Sequence, residues 1–184
     1  MDLTFEMVKL PQAEMALRHF LLGEPWPFHV NATISEEKLA AMISSGVFAG
    51  VNARSFFIQS ENTTLGFIRL FDLDDIEDGG FPMFDLRVST KYRGRGVGAE
   101  ALTWLSQYAF SEFPELDRIV GATRADNVAM RKTFRKCGYV KEAHFRNDWE
   151  TADGKFIDTV RYSLLKVDWM LGTTTPILWN DEPI

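Results

Sequence analysis

The stretch Tyr92-Arg93-Gly94-Arg95-Gly96-Val97-Gly98 lies between a strand-like run and a long helix-like run of the chain. Glycine has no Cβ, so the backbone of such a loop can come close to a ligand. A helix that begins there directs unpaired N–H groups and a partial positive charge toward the loop. Arg93 and Arg95 add fork-shaped donors that suit phosphate oxygens. The stretch therefore predicts an anion site, most often one for phosphate; the alternative is a glycine turn with two solvated arginines.

Residues 94–99 also fit the dinucleotide-binding pattern G-x-G-x-x-G/A, and an acidic residue follows at Glu115 or Asp117. That pattern normally leaves its strand directly and stands near the start of its fold. Here residues 89–93 intervene, and the loop lies at mid-chain. No G-x-x-x-x-G-K-[ST] phosphate loop occurs, which argues against a nucleotide triphosphatase. A nicotinamide-dependent oxidoreductase is therefore only the weaker alternative.

A second segment favours a different ligand. The spacing Arg93-x-x-Gly96-x-Gly98 resembles the [RQ]-x-x-G-x-[GA] signature of the GNAT superfamily of N-acetyltransferases, whose loop cradles the pyrophosphate of coenzyme A. Residues 127–139 (NVAMRKTFRKCGY) resemble the N-x-x-[AS]-x-x-x-[YF]-x-x-x-G-[FY] segment of the same superfamily. The resemblance covers roughly residues 54–167 and is closest to the ribosomal-protein (RimJ/RimL-type) branch, whose ending residues 154–160 and 162–165 match.

The periodicity of apolar residues predicts an α/β (α+β) fold in a single domain over residues 1–184. The resemblance implies the same architecture, a mixed, mostly antiparallel twisted sheet flanked by helices. Residues 173–184 have no clear period and predict an irregular tail. We expect strands at residues 3–9, 54–59, 64–71, 81–89, 118–123, 139–145 and 156–167, and helices at residues 11–22, 35–46, 94–110 and 126–136.

The resemblance implies acetyl-CoA as co-substrate and suggests its contacts. The strand before the loop would splay from its neighbour, so that its backbone pairs with the pantetheine arm; the alternative is a fully paired core strand. Asn127 would bond a pantetheine amide, or only cap the helix that follows it. We expect the pyrophosphate on the N–H groups of residues 95–99 and the adenine end near Arg93. The predicted coenzyme-binding residues are Leu86, Arg87, Val88, Arg93, Gly94, Arg95, Gly96, Val97, Gly98, Ala99 and Asn127.

Transfer of an acetyl group to an amine needs a group that accepts the amine proton, directly or through water. Asp85 is our first choice for this catalytic base, because it is a carboxylate on a strand near the expected thioester. Its strand parity is opposite to that of Leu86 and Val88, which would place it against a helix or in an ion pair with Arg87.

His29 is a second candidate for the base. In the resembled fold its loop lies near the acceptor, so the predicted substrate-binding residues are Trp26, Phe28 and His29. The alternative for this loop is a packed aromatic segment with a satisfied histidine.

Two positions that commonly handle protons in the superfamily are apolar in this chain. Phe134 stands where many members have tyrosine, and Met130 stands where the ribosomal branch often has serine. Another group or water would then serve the thiolate, although a thiol with a pKa near about 8.5 leaves without a dedicated acid. An acyl-CoA-binding module without transfer activity therefore stays open as an alternative.

Composition and charge limit the partners. A formal charge of −6 argues against nucleic-acid binding. The single Cys137 cannot form an internal disulfide, which favours a cytoplasmic location. We see no signal peptide, and no apolar run approaches the ~18 residues that span a membrane. We expect no metal, because no His/Cys/Asp cluster has ligand spacing and the acidic run at residues 72–78 does not match a calcium loop.

The expected activity is direct transfer of an acetyl group from acetyl-CoA to a primary amine. The branch resemblance suggests a protein N-terminus as the acceptor. The acidic run at residues 72–78, if it borders the acceptor mouth, would favour a small cationic amine instead. Assembly as a homodimer is left open.

Overall fold

The computed structural model describes residues 2–151 and 153–179. Its strands and helices lie close to the bounds that the apolar periodicity predicts. The strands are β1 (Thr4–Met7), β2 (Ala53–Ser60), β3 (Thr63–Phe71), β4 (Met83–Val88), β5 (Arg118–Arg124), β6 (Val140–Glu150) and β7 (Phe156–Leu165). The helices are α1 (Glu14–Leu22), α2 (Glu36–Ser44), α3 (Val97–Glu112), α4 (Val128–Lys136) and α5 (Lys166–Leu171), with short 3₁₀ turns at Asp74–Ile76 and Thr90–Tyr92.

The strands form one sheet in the order β1-β2-β3-β4-β5-β7-β6. Every neighbouring pair is antiparallel except β4 and β5, which are parallel. The predicted mixed, mostly antiparallel sheet is therefore confirmed. The dinucleotide-binding fold to which the G-x-G-x-x-G/A pattern belongs has an open, mostly parallel sheet, so this sheet does not support the alternative of a nicotinamide-dependent oxidoreductase that uses the glycine loop.

β4 and β5 separate along most of their length. They are paired only at Met83↔Val120, whereas β4 stays paired with β3 and β5 stays paired with β7 along the whole strand. The edge of β4 at residues 86–88 therefore borders a gap in the sheet and leaves backbone groups without a strand partner there. This is the splay that the sequence resemblance implies.

The two faces of the sheet carry separate cores. Successive side chains of a strand point to opposite faces, so Ile68 packs toward α3 and α4 whereas Phe67 packs toward α1 and α2. On β4, Phe84 belongs to the first core. Asp85 and Arg87 consequently point to the α1 and α2 side, as their parity predicts.

The helix boundaries follow local chemistry. Ser35 Oγ accepts a hydrogen bond from the Lys38 amide at 3.2 Å and so caps the N-terminus of α2. α3 begins at Val97 rather than at residue 94, because Gly94 and Gly96 adopt left-handed backbone angles. No helix is long and apolar enough to cross a membrane in the described part of the chain.

The end of the chain differs from expectation in two elements: β6 extends to Glu150 rather than to residue 145, and α5 begins at Lys166, within the predicted last strand. α5 was not predicted, because its six residues are too few to show a helical period. Asp168 of α5 is buried and accepts hydrogen bonds from the amide and hydroxyl of Thr175, which ties the following segment back to the helix. Residues 173–179 have no regular secondary structure, and the rest of the predicted tail, residues 180–184, lies outside the described residues.

Candidate functional site

Two glycines shape the loop before α3. Gly94 has a φ of 74° and Gly96 a φ of 90°, a conformation that other residues rarely adopt. A Cβ at either position would meet no protein atom within 4 Å, so the space beside the loop is open. At Gly98 a Cβ would lie 3.9 Å from the side chains of Leu86 and Val88, which is ordinary contact. The strict need for glycine therefore lies at Gly94 and Gly96.

The loop and the start of α3 present free N–H groups. The amides of Ala99 and Glu100 both donate to the carbonyl of Gly96, at 3.0 and 3.1 Å. Among the described residues, the amides of residues 94–98 donate to no protein acceptor. The Ala99 amide is therefore already in use, which corrects its predicted place in the run of free donors. Free donors at a helix start, aligned with the helix dipole, suit an anion.

A cavity of about 630 Å³, which we call the loop cavity, opens between the glycine loop, the free edge of β4 and α4. Its size is within the range of small-molecule sites. It is lined by Trp26, Pro27, Phe28, His29, Leu86, Arg87, Val88, Tyr92, Arg93, Gly94, Gly96, Gly98, Ala99, Asn127, Val128, Ala129, Met130, Lys132, Thr133 and Lys136.

Nearly all of the predicted coenzyme-binding residues line the loop cavity, but Arg95 and Val97 do not. The Val97 side chain is buried in the core under α3, and the Arg95 guanidinium lies 5.9 Å from the centre of the Tyr92 ring. The Arg93 side chain is partly fixed by the protein, because its Nε donates to the carbonyl of Val88 at 2.8 Å.

One wall of the loop cavity was missed by the sequence reasoning. This wall is one face of α4, formed by Val128, Ala129, Lys132, Thr133 and Lys136. Their spacing of three and four residues is the helical repeat that could have identified this face. The two lysines bring positive charge to the cavity on the side opposite the glycine loop.

Asn127 lines the loop cavity and makes two side-chain hydrogen bonds within the protein. Its Oδ1 accepts a hydrogen bond from the Met130 amide at 3.2 Å, which makes it the N-cap of α4. Its Nδ2 donates to Thr123 Oγ1 at 3.0 Å. The capping role is therefore confirmed, and a contact with pantetheine stays a prediction.

A second cavity of about 260 Å³, which we call the inner cavity, lies at the gap between β4 and β5 and is lined from both faces of the sheet. The inner cavity is lined by Phe28, His29, Val30, Asn31, Met42, Arg69, Phe71, Met83, Phe84, Asp85, Leu86, Arg87, Ala122, Thr123, Asn127, Met130, Phe134 and Trp149. None of the acidic residues at positions 72–78 lines the inner cavity or the loop cavity.

Asp85 is held by two neighbours on the wall of the inner cavity. Arg87 Nη2 lies 2.9 Å from its Oδ2, and His29 Nδ1 lies 3.0 Å from its Oδ1. Burial by itself would raise the pKa of Asp85, but Arg87, His29 and Arg69 outweigh burial and hold that pKa below its ordinary value. A carboxylate with a lowered pKa accepts protons weakly, so the geometry weighs against the predicted role of Asp85 as the base itself.

The loop that carries His29 is fixed by backbone and indole contacts. Trp26 is 1% exposed, and its Nε1 donates to the carbonyl of Leu21 at 2.9 Å. Its ring supports Arg87, whose guanidinium lies 5.4 Å from the ring centre. Phe28 and His29 line both cavities, whereas Trp26 borders only the loop cavity. Of the three predicted substrate-binding residues, Phe28 and His29 therefore have the more suitable position.

Comparison with known proteins identifies the family. The model of the acetyltransferase (GNAT) domain family matches residues 2–140. The chain belongs to this family. The uncharacterized N-acetyltransferase p20 from Bacillus licheniformis is 31% identical over 100 residues, which are 54% of this chain and 54% of that protein. The chain thus matches about half the length of this curated relative.

Solved structures agree with the GNAT assignment at the level of the fold. The spermidine N-acetyltransferase from Vibrio cholerae in complex with CoA and spermine has a TM-score of 0.73 at 17% identity, covering 91% of this chain and 98% of that chain. A dodecameric form of the Vibrio cholerae enzyme has a TM-score of 0.72 at 16% identity, covering 91% and 96%. The finer resemblance to the RimJ/RimL-type branch stays a prediction.

Phe134 and Met130 occupy the two positions at which GNAT members commonly have a proton-handling side chain, and neither can donate a proton. Phe134 is 1% exposed and stacks on Tyr162 with ring centres 4.6 Å apart. Tyr139 is also buried; burial raises the pKa of its phenol, and its hydroxyl bonds with that of Ser106 at 2.9 Å. Neither residue can deliver a proton to a departing sulfur. The described residues contain no group of three or more His, Cys, Asp or Glu that could hold a metal ion.

Proposed function

We propose that this protein is an acetyl-CoA-dependent N-acetyltransferase that transfers the acetyl group directly to a primary amine. The observation that carries the proposal is the meeting of two cavities at the gap between β4 and β5. A thioester held in the loop cavity and an amine held in the inner cavity would come together there. The residues that line both cavities are Phe28, His29, Leu86, Arg87, Asn127 and Met130.

The loop cavity fits coenzyme A. The free amides of residues 94–98 and the dipole of α3 suit the pyrophosphate. Lys132 and Lys136 add positive charge on the opposite wall. The unpaired edge of β4 at residues 86–88 provides backbone groups for the amides of the pantetheine arm. When bound, acetyl-CoA would supply the activated acetyl group as a thioester.

The residues of the inner cavity would manage the amine. As the new C–N bond forms and the C–S bond breaks, the electron pair leaves with the sulfur and the amine nitrogen loses a proton. In this proposal His29 accepts that proton, since its imidazole lines both cavities. Asp85 Oδ1 lies 3.0 Å from the ring at Nδ1, so the carboxylate would stabilise the imidazolium once it has formed. Asp85 is then a positioning residue rather than the base.

The departing thiolate needs no dedicated acid in this site. Phe134 and Met130 offer no proton, but a thiol with a pKa near about 8.5 is a good enough leaving group for solvent to protonate it later. The apolar positions therefore reduce the available acid catalysis without removing the transfer step.

The proposed acceptor is a primary amine. The RimJ/RimL-type resemblance suggests a protein N-terminal amine, whereas the spermidine N-acetyltransferase from Vibrio cholerae binds spermine in its solved complex. We place the protein in the reducing cytoplasm because Cys137 is its single cysteine. The Cys137 thiol donates to the carbonyl of Ala99 at 3.3 Å, and burial raises its pKa.

Two measurements test the proposal. Titration calorimetry with coenzyme A should show binding in the micromolar range, and its absence would refute the proposal. A thiol-release assay with acetyl-CoA and a broad panel of amines, read with mass spectrometry of the products, should show acetylation of at least one amine. Tight binding of acetyl-CoA without turnover on any amine would instead favour a binding module.

A further inference from the structure

The inner cavity is unusual in the charges that line it. Its ionisable side chains are His29, Arg69, Asp85 and Arg87. Asp85 is the only carboxylate among them; both hydrogen bonds from Arg87 go to its Oδ2, and its Oδ1 lies 3.0 Å from His29 Nδ1. Two guanidinium groups therefore face one carboxylate, and the walls of the inner cavity carry an excess of positive charge.

The two arginines flank Asp85 on the same face of the sheet. Arg69 of β3 lies directly opposite Asp85 in the strand register, and Arg87 is two residues further along β4. Side chains at such positions lie within about 8 Å of each other. One small anionic group placed next to Asp85 could therefore reach both guanidinium groups.

Both arginines are fixed in place and keep buried N–H groups without a partner. The Arg87 side chain is 7% exposed, and its Nη1 has no hydrogen-bond partner among the described residues. Arg69 donates from Nη1 to the carbonyl of Val47 at 3.0 Å, and its guanidinium lies 4.4 Å from the centre of the Phe71 ring. Its buried Nε also lacks a partner within residues 2–151 and 153–179. Buried donors of this kind cost free energy until an acceptor binds them.

We propose that the acceptor is a small amino carboxylic acid, a primary amine whose own carboxylate binds to Arg69 and Arg87. This inference rests on the proposed function and names its substrate class. Guanidinium and carboxylate groups match in geometry and charge. The remaining walls are mostly apolar and aromatic, including Met42, Phe84 and Trp149, so an amino acid with an apolar side chain fits best.

A polyamine does not suit this cavity. Its second ammonium group would approach two guanidinium groups, Arg69 and Arg87, with the single carboxylate of Asp85 to balance all three charges, and like charges repel strongly in a buried site. For an amino acid the same positive charge is useful near the reacting nitrogen. It disfavours the ammonium form and so increases the fraction of neutral, nucleophilic amine.

Matched acceptors test the role of the carboxylate. L-phenylalanine, L-phenylalaninamide and phenethylamine share one aromatic side chain and differ in the group that would meet the arginines. We expect kcat/KM for L-phenylalanine to exceed that for each of the other two by at least about 100-fold, because a site built for a polar group rejects analogues that lack it. Spermidine should be a poorer acceptor than L-phenylalanine.

Variants of Arg69 connect that preference to the structure. Arg69→Met should reduce the ratio of kcat/KM between L-phenylalanine and L-phenylalaninamide by at least about tenfold. Arg69→Lys keeps the charge and should retain part of the ratio. A general loss of structure would lower both rates and leave the ratio unchanged. Affinity for coenzyme A, measured by calorimetry, should stay within about twofold in both variants, because Arg69 does not line the loop cavity.

Direct binding provides a readout without turnover. N-acetyl-L-phenylalanine should bind to the coenzyme A-loaded protein, and Arg69→Met should weaken that binding. Preferred turnover of phenethylamine or spermidine, or an unchanged ratio in Arg69→Met, would overturn the inference while leaving the proposed function intact. Absence of coenzyme A binding, or of turnover with every amine, would refute the proposed function and the inference with it.

Discussion

The loop cavity and the inner cavity are built in different ways. The loop cavity depends on backbone groups, namely the free amides of residues 94–98 and the left-handed φ of Gly94 and Gly96. The inner cavity depends on side chains from distant parts of the chain, such as His29 before α2, Arg69 on β3 and Trp149 on β6. Backbone amides recognise a phosphate group whatever molecule carries it, whereas the side chains of the inner cavity select the acceptor amine.

This difference separates what is common to the family from what is particular to one chain. The glycine loop can keep its function while most side chains around it change, because N–H groups belong to every residue except proline. The inner cavity changes with each substitution in its wall. Coenzyme recognition should therefore respond to backbone changes in this protein, and acceptor chemistry should respond to single side chains.

The largest expected effect belongs to the inner cavity. His29→Gln keeps a polar side chain of similar length but removes the imidazole that would accept the amine proton. We expect kcat to fall by about 1,000-fold, a typical loss for a general base, with the affinity for coenzyme A nearly unchanged. Steady-state kinetics with acetyl-CoA and the best acceptor of the amine panel measure this effect.

His144 provides a matched control. It also pairs with a carboxylate, Asp158, at 2.6 Å, but this pair lies on the β6–β7 hairpin and lines neither cavity. His144→Gln should leave kcat within about twofold. Equal losses in the two variants would contradict a special role for His29.

The next largest effect belongs to the loop cavity. Gly96→Val forces a β-branched residue into a φ of 90° and fills the open space beside the loop. Backbone strain of about 1–3 kcal/mol and the lost approach of the ligand should together weaken coenzyme A binding by about 100-fold. Calorimetry measures the affinity, and circular dichroism checks that the variant is folded.

Gly98→Ala is the control for this change, because Gly98 lies in the same loop but has an ordinary φ. A Cβ there makes only ordinary contacts at 3.9 Å and beyond. We expect binding within about threefold of the unchanged protein. A larger loss in Gly98→Ala than in Gly96→Val would show that the site depends on space at Gly98 rather than on loop conformation.

The sequence predicts the fold and the loop cavity well because both depend on local patterns. Alternating and helical periods identify every strand of the sheet and four of the five helices. The glycine spacing identifies the loop through residues that are neighbours in the chain. Only tertiary detail was missed there, such as Lys132 and Lys136 facing the loop from α4.

The inner cavity could not be assembled from the sequence for a physical reason. His29 and Asp85 are far apart in the chain, and their contact depends on how the loop after α1 crosses the sheet. Strand parity does place Asp85 and Arg87 on one face, and the ion pair between them is one of the predicted alternatives. Arg69 was overlooked because its partner strand, and therefore its register opposite Asp85, appears only in the sheet.

The third prediction concerns the ion pair of Asp85 and Arg87 on the wall of the inner cavity. Asp85→Asn leaves the buried Arg87 without its charged partner, so we expect a loss of about 2 kcal/mol in the free energy of unfolding at pH 7, measured by urea denaturation. Since the folded-state pKa of Asp85 is lowered, its stabilisation is complete above the unfolded pKa of about 3.9. The part of the difference that comes from the Asp85 charge should therefore narrow as the pH falls below about 4.

The exposed pair of Asp153 and Lys155 tests whether burial of the ion pair causes the loss of stability expected for Asp85→Asn. It has a short contact of 2.6 Å, but both side chains are well exposed. Asp153→Asn should not change the free energy of unfolding measurably, because solvent screens such pairs. A pH-independent difference for Asp85→Asn would mean that its loss comes from packing rather than from charge.

The smallest effect is expected for the arginine that borders the loop cavity. Arg93 is 41% exposed in its side chain and already donates to the Val88 carbonyl, so it offers the coenzyme one screened, charge-assisted contact. Arg93→Ala should weaken coenzyme A binding by ~1 kcal/mol, or about fivefold. Arg95→Ala should change it by less than about twofold, because Arg95 does not line the cavity. If Arg93→Ala abolished binding while Gly96→Val left it intact, side-chain charge rather than backbone geometry would hold the coenzyme, and the contrast between the two cavities would be lost.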